Sequence, residues 1–275
     1  MTPPFALLRR APSPPLAGLV REIVVYRERG LSPPQRETAS LTVPLIINLG
    51  TPFRIGLGRE PTAADAQPSF GAGVSARPVH ILSDGGAECV QVNFTLSGAC
   101  RLFGGLLAAM ADRMVDVGAL FGRDGRDLVD RLGATSDWGA RCDLVEAFLL
   151  PRVGTPPGAT VRHALHDLLA SGGRRPVAAI ADDIGVSRQH LSACVRATLG
   201  LPPKAVGRIV RFQSACALAE GGGETGWAAI AVAAGYSDQA HLAREFRAFA
   251  GETPSAWAHR RAHLDPRLRR PEPLD

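Results

Sequence analysis

The chain has 275 residues, 45% of them hydrophobic and 21% charged, with a formal net charge of +5. That is the composition of an ordinary soluble globular protein, long enough for two domains that each bury a core. Five scattered cysteines without a Cys-x-x-Cys pair argue against a disulfide or zinc framework and for small buried hydrophobes in a reducing cytosol. No apolar run reaches the roughly 18 residues that a membrane helix needs. The N-terminus lacks the basic-then-apolar order of a signal peptide, so a cytoplasmic protein with no membrane partner is expected.

The charge is unevenly placed. From residue 157 onward there are fifteen basic and eleven acidic side chains, while the preceding part is close to balanced. That surplus suits a polyanionic partner without proving one. Only one of the thirty-one basic residues is a lysine, Lys204, which reads as a compositional bias toward arginine.

In chain order, the run Ile23-Val24-Val25-Tyr26 predicts a buried strand over residues 19–27, broken by Ser32-Pro33-Pro34. Leu41, Val43, Leu45, Ile47 and Leu49 alternate with Thr42, Pro44, Ile46 and Asn48, a period of two that predicts a second strand. Pro44 places that strand at a sheet edge or a bulge. Gly50-Thr51-Pro52 then reads as a hairpin turn into Phe53, Ile55 and Leu57, followed by a polar loop over residues 59–68. Residues 70–74, 78–82 and 88–96 supply further strands, with Asp84-Gly85-Gly86 as a hairpin turn before the last. There Val90, Val92, Phe94 and Leu96 share one face, and Gln91, Asn93 and Thr95 the other. From Gly98 the period becomes helical, with Leu102, Leu106 and Met110 on one stripe and two more helices over residues 124–132 and 138–150. The first 150 residues are therefore β-rich and capped by helices, and the Pro/Gly cluster at residues 151–158 is a domain linker.

The remainder says nearly the same thing twice. Ile180 and Ile230, Gly185 and Gly235, and Ser187 and Ser237 stand fifty residues apart; His190 and His241, Gly200 and Gly251, and Pro203 and Pro254 stand fifty-one apart. An offset that changes once, just inside a helix start, marks a duplicated structural unit. After a helix over residues 161–170, Pro176 suits the first turn of the next helix, residues 177–183. Gly185 ends that helix in the left-handed region, and Ser187 caps a third. This is a helix-turn-helix pattern. Leu191, Cys194 and Val195 form the buried stripe of its second helix, and Arg188, Gln189, Ser192 and Arg196 share the opposite face. In the second copy Ser237 or Asp238 is the cap, with Leu242, Phe246 and Phe249 buried. Gln239, Ala240, Ala243, Arg244 and Arg247 face outward. Arginine suits guanine and glutamine suits adenine at base edges. Residues 204–220 form a long helix joining the copies as a rigid spacer, and Gly221-Gly222-Gly223 reads as a flexible joint.

On these residues, Ile180-Ala181, Gly185-Val186-Ser187, His190-Leu191, Gly200 and Pro203, with their counterparts up to Gly251-Glu252-Thr253-Pro254, residues 161–264 resemble the DNA-binding domain of the AraC/XylS family of bacterial transcription regulators. The resemblance implies two recognition helices entering successive major-groove segments of double-stranded DNA. Carried over by position, its base-reading places are Gln189, Ser192 and Ala193 in the first copy, and Gln239, Ala240, His241 and Arg244 in the second. Many family members have a long basic side chain where this chain has Ala193, which shifts base reading toward Arg188, Gln189 and the second copy. Asn48-Leu49-Gly50, Pro52-Phe53, Arg77-Pro78-Val79 and Val92-Asn93-Phe94 resemble the β-rich sensor half of a subset of the family, whose sensor halves are often cupin-like barrels.

The fold class expected is therefore α+β. A cupin-like domain with capping helices occupies residues 1–150, and an all-α double helix-turn-helix domain occupies residues 159–264, followed by a disordered tail at residues 265–275. The expected partners are DNA, a small-molecule effector, a second copy of the chain and the transcription machinery. No catalytic residue, metal site or cofactor is expected. His80 is the only histidine of the β-rich half, so a His/His/Glu cluster cannot be assembled, and nucleophile-elbow, P-loop and dinucleotide motifs are missing. For the alternative of an enzyme tethered to DNA, Asp65, Asp84 and Glu88 offer a carboxylate pair, but nothing in their spacing favours it over ordinary loop charges. A DNA-binding protein without a small ligand is the other alternative. Leu45, Ile47, Phe53, Val92 and Phe94 are read as core in preference to a ligand cavity.

Overall fold

The computed structural model describes residues 5–221 and 226–263. Of the expected glycine joint only Gly221 falls within them, and the tail from residue 265 lies outside them. The chain divides into two compact units. The first is Met1–Arg36, Thr42–Val74 and Val79–Pro157; the second is Gly158–Asp275 with the short stretches Glu37–Leu41 and Ser75–Pro78.

The first unit opens with β1 (Phe5–Arg10), β2 (Val20–Glu28), β3 (Gln35–Glu37), β4 (Val43–Asn48) and β5 (Phe53–Leu57). It continues with β6 (Ala66–Gln67), β7 (Phe70–Ala72), β8 (Val79–Leu82) and β9 (Glu88–Phe94). Then come α1 (Leu96–Phe103), α2 (Leu106–Met110), β10 (Met114–Asp116), α3 (Val117–Ala134) and α4 (Trp138–Leu149). The strands form two open sheets, ordered β1-β2-β9-β4-β7-β10 and β3-β8-β5-β6. Open sheets replace the closed barrel that the word cupin implies.

Cross-strand register fixes the faces of the larger sheet. Ile23 and Val25 stand opposite Val92 and Val90, which stand opposite Leu45 and Ile47. All six are buried and lie under the helices. Phe94 meets Phe103 of α1, Phe103 meets Phe121 of α3, and Phe121 meets Phe148 of α4, with ring centroids 5.8, 6.1 and 5.2 Å apart. This aromatic chain carries the core from sheet to outermost helix. Gly71 permits the close approach, because a Cβ there would stand 2.8 Å from the Leu120 Cδ1. Glu88, on the same sheet face, accepts from Arg27 at 2.7 and 2.8 Å and from the buried Arg141 of α4.

Several local expectations give way to longer-range pairing. β4 and β5 lie in different sheets, as do β8 and β9, so neither glycine turn closes a hairpin. Instead the two turns meet: the Thr51 N–H donates to the Gly86 carbonyl at 2.9 Å. β4 is an interior strand and its pairing with β9 runs without a bulge. Pro44 is tolerated there because β7 pairs only with Leu45 and Ile46 and never reaches it. The helix expected through Leu102, Leu106 and Met110 breaks at Gly104-Gly105, which leaves Leu106 half exposed and Leu107 buried in its place. The next one begins earlier than its apolar pattern, at Val117, and kinks at Gly122 (φ 62°).

The second unit is helical: α5 (Ala159–Ala170), α6 (Val177–Ile184), α7 (Arg188–Leu199), α8 (Pro203–Glu220), α9 (Trp227–Ala233), α10 (Gln239–Ala250) and α11 (Pro254–His263). Phe212, Phe246, Phe249 and Trp257 are all buried at its centre. Phe212 and Trp257 approach Phe246 edge-on, at 4.9 and 5.6 Å. α11 carries Trp257 into this cluster. The stretch Glu37–Leu41 also belongs here: Ala39 is fully buried and its N–H donates to the Phe249 carbonyl at 2.8 Å.

Candidate nucleic-acid interface

Each helix-turn-helix unit is built by the same backbone device. Gly185 (φ 74°) and Gly235 (φ 82°) take the left-handed conformation. The amide after each then bonds back into the supporting helix, Val186 to the Ala181 carbonyl at 3.0 Å and Tyr236 to the Ala231 carbonyl at 2.8 Å. The units differ at the next step. Ser187 caps α7 by accepting from the His190 amide at 3.1 Å. In the second unit Asp238 is the cap, accepting from the His241 amide at 2.6 Å. The change of offset from fifty to fifty-one is therefore one extra residue between glycine and cap. It frees Ser237, whose hydroxyl lies 3.2 Å from both the Asp238 carboxylate and the His241 Nδ1. The bond from the His241 amide holds the Asp238 carboxyl below its usual range, helped by Ser237 and the charge of Arg244.

The cap sets which side of each helix faces out. On α7, Leu191, Val195 and Leu199 are buried, while Arg188, Gln189, Ala193 and Arg196 are exposed and Ser192 is half-buried. Cys194, expected in the buried stripe, is only half-buried, and its Sγ lies 3.5 Å from the Nε2 of the exposed His190. Leu199 completes the stripe instead. On α10, Gln239, Ala240, Arg244 and Arg247 are exposed and His241 is half-buried, its ring edge-on to Tyr236 at 5.1 Å. With the offset of fifty-one, Ala193 of α7 corresponds to Arg244 of α10, Arg196 to Arg247 and Cys194 to Glu245.

Eight arginines of this unit form two contrasting sets. Arg175 pairs with Asp167 and Asp183, Arg208 with Glu245, Arg260 with Glu252 and Arg261 with Glu220. Arg188, Arg196, Arg244 and Arg247 form no ion pair among the described residues. All four are exposed on the outward faces of α7 and α10, where unneutralised guanidiniums can meet phosphates and base edges.

The sequence pattern did not single out Glu245. It sits on the buried side of α10, where its carboxylate takes Arg208 Nη2 at 2.8 Å and Nε at 3.2 Å. Arg208 also lies over the Phe249 ring, 4.9 Å from its centroid. The clue available was a charge within an otherwise apolar stripe. α10 is thus pinned to α8 by an ion pair that α7, with Cys194 at the matching place, does not have.

The carboxylates offered as a catalytic pair are separately engaged, Asp65 by Arg59 and Asp84 by Arg54, both at 2.6 Å, and Glu88 by Arg27 and Arg141. His80 Nδ1 lies 2.8 Å from Glu60. Leu45, Ile47, Phe53, Val92 and Phe94, read from the sequence as core, are buried. The opposite sheet face instead carries a polar row, in which Gln91 donates to Asn93 at 2.8 Å and Asn93 to Glu22 at 2.9 Å. Gln91 and Asn93 are buried.

Residues 180–260 match the family model described as a helix-turn-helix domain. No curated protein sequence matches the chain. Among solved structures, the chain is similar to ToxT from Vibrio cholerae O395 at 10% identity and a TM-score of 0.48, covering 93% of this chain and 97% of that one. It is also similar to a DNA-binding transcriptional dual regulator from Escherichia coli K-12 at 20% identity and a TM-score of 0.33, over 36% of this chain and 96% of that one. The AraC-like transcriptional activator CuxR is similar at 14% identity and a TM-score of 0.32, over 79% and 96%. No helix among the described residues is long and apolar enough to cross a membrane. With two helix-turn-helix units in tandem, joined by α8 and matched over residues 180–260, the C-terminal unit carries a helix-turn-helix domain.

Proposed function

We propose that this protein is a sequence-specific DNA-binding transcription regulator in which α7 and α10 each enter a major-groove segment. The observation that carries the reading is the set of four exposed arginines without an ion pair among the described residues, on the outward faces of two capped recognition helices, in a unit where Arg175, Arg208, Arg260 and Arg261 are each matched by a carboxylate. Gln239 and Arg244 read base edges; Arg196 and Arg247 hold phosphates; Arg188, Gln189 and Ser192 make the weaker readout of the first helix. The first unit then positions the protein and the second specifies the site, because Arg244 reaches where Ala193 cannot.

The β-rich half is the responsive half in this reading, supported by the polar row of half-buried Glu22 with buried Asn93 and Gln91, whose polar groups suit recognition of a small effector. The reading is tested by selecting duplexes from a randomised library with the full chain and mapping the protected guanine and adenine positions. Two protected major-groove segments about one helical turn apart are expected. A single protected segment would remove one of the two helices from the interface.

A further inference from the structure

Arg211 stands on α8 one turn beyond Arg208 and reaches both helix-turn-helix units. Its Nη2 donates to the Gly173 carbonyl at 2.8 Å, in the turn between α5 and α6 that leads into the first unit. Its guanidinium carbon lies 5.7 Å from the centre of the Tyr236 ring, in the turn of the second unit. The Gly173 turn is seated tightly on α8. Gly173 is left-handed (φ 71°), and a Cβ there would collide with the Gly207 carbonyl. Next in sequence, Arg174 lays its side chain over Gly235, where an added Cβ would stand 2.7 Å from the Arg174 Cγ. Its Nε is held by the Ser171 carbonyl at 3.0 Å. Two arginines therefore bridge the turn before the first unit and the turn inside the second.

A guanidinium is suited to this task, since its planar fork donates in the plane and stacks on an aromatic face at the same time. α8 alone would leave the two units joined through one helix. The added brace ties together the turns from which α6 and α10 spring. We infer that Arg211, supported by Arg174, is a positioning residue that fixes the separation and angle of the two recognition helices, so that the unit accepts a single spacing between its two DNA segments. This rests on the DNA-binding reading above.

The test uses the full chain and the duplexes it selects from a randomised library. One base pair is inserted between the two protected segments, which turns one against the other by roughly 34°. The unmodified protein is expected to lose about tenfold in affinity for the lengthened duplex, the penalty of a mismatched site. Arg211→Met, which keeps the stem and removes the fork, is expected to bind the parent duplex more weakly but to lose less than about threefold on the insertion. Retention of the tenfold penalty by Arg211→Met would overturn the inference. Should that variant melt below the assay temperature, Tyr236→Leu removes the aromatic face and carries the same comparison. Tyr236→Phe keeps the face and should restore the wild-type penalty; the same tolerance in Tyr236→Phe and Tyr236→Leu would also overturn it. If the unmodified chain selects no duplex, the DNA-binding reading fails instead.

Discussion

Ala193 and Arg244 occupy the same turn of their recognition helices, and a methyl group cannot reach a base edge that a guanidinium can. That contrast was legible in the sequence, because the repeat supplies the alignment from within a single chain. The role of Glu245 was not legible, since a charge inside an apolar stripe declares itself only when Arg208 is seen opposite it. Among the outward arginines, position decides between phosphate and base. Arg196, in the last turn of α7, is far from the N-terminal residues that such helices present to bases. Arg196→Ala should therefore weaken binding by the same factor on selected and random duplexes. It should also lower the slope of log affinity against log salt by about one. A loss confined to the selected duplex, measured by titration at several salt concentrations, would make Arg196 a base reader.

At the scale of elements, the helical half was read well because its signals are local. Left-handed glycines, caps and the apolar stripe all lie within a dozen residues of what they control. The sheets were read less well for the opposite reason. Gly50-Thr51-Pro52 and Asp84-Gly85-Gly86 show that the chain turns, but turn chemistry does not say which sheet receives the next strand. The joint between β9, β2 and α4 depends on a similarly distant meeting, that of Glu88 with Arg27 and Arg141. Hydrogen bonds from Arg27, then from Arg141, hold the Glu88 carboxyl below its usual range. Its contribution to stability is thus fully present above the unfolded carboxylate value of about 4.3 and is lost as pH falls through the lower folded value. Glu88→Gln should melt below the wild type at neutral pH, and the gap should close on acidification below about pH 4. A gap that stays constant across that range would detach Glu88 from the acid response.

For the whole molecule, the division of labour is between two units built on different logic. The β-rich unit buries apolar residues under helices and keeps a hydrogen-bonded polar row on its other sheet face. The helical unit gathers Phe212, Phe246, Phe249 and Trp257 at its centre and presents Arg188, Arg196, Arg244 and Arg247 on two outward helix faces. Composition foretold two cores but not their boundaries, since Glu37–Leu41 and Ser75–Pro78 pack with the helical unit although they lie within the β-rich sequence. Nothing in their local pattern marks them; the hydrogen bonds from the Ala39 N–H to the Phe249 carbonyl and from Gln213 to Ser40 do, with Ser75 bridged to Ser40 in turn. The central claim is that the second helix-turn-helix unit specifies the DNA site. Its most direct test is the affinity of full-length Arg244→Ala for a selected duplex and for random duplex under one salt condition. The ratio of the two affinities should fall by about tenfold or more, the worth of one bidentate base contact, while binding to random duplex changes little. An equal loss on both duplexes would reduce Arg244 to a phosphate contact and contradict the account.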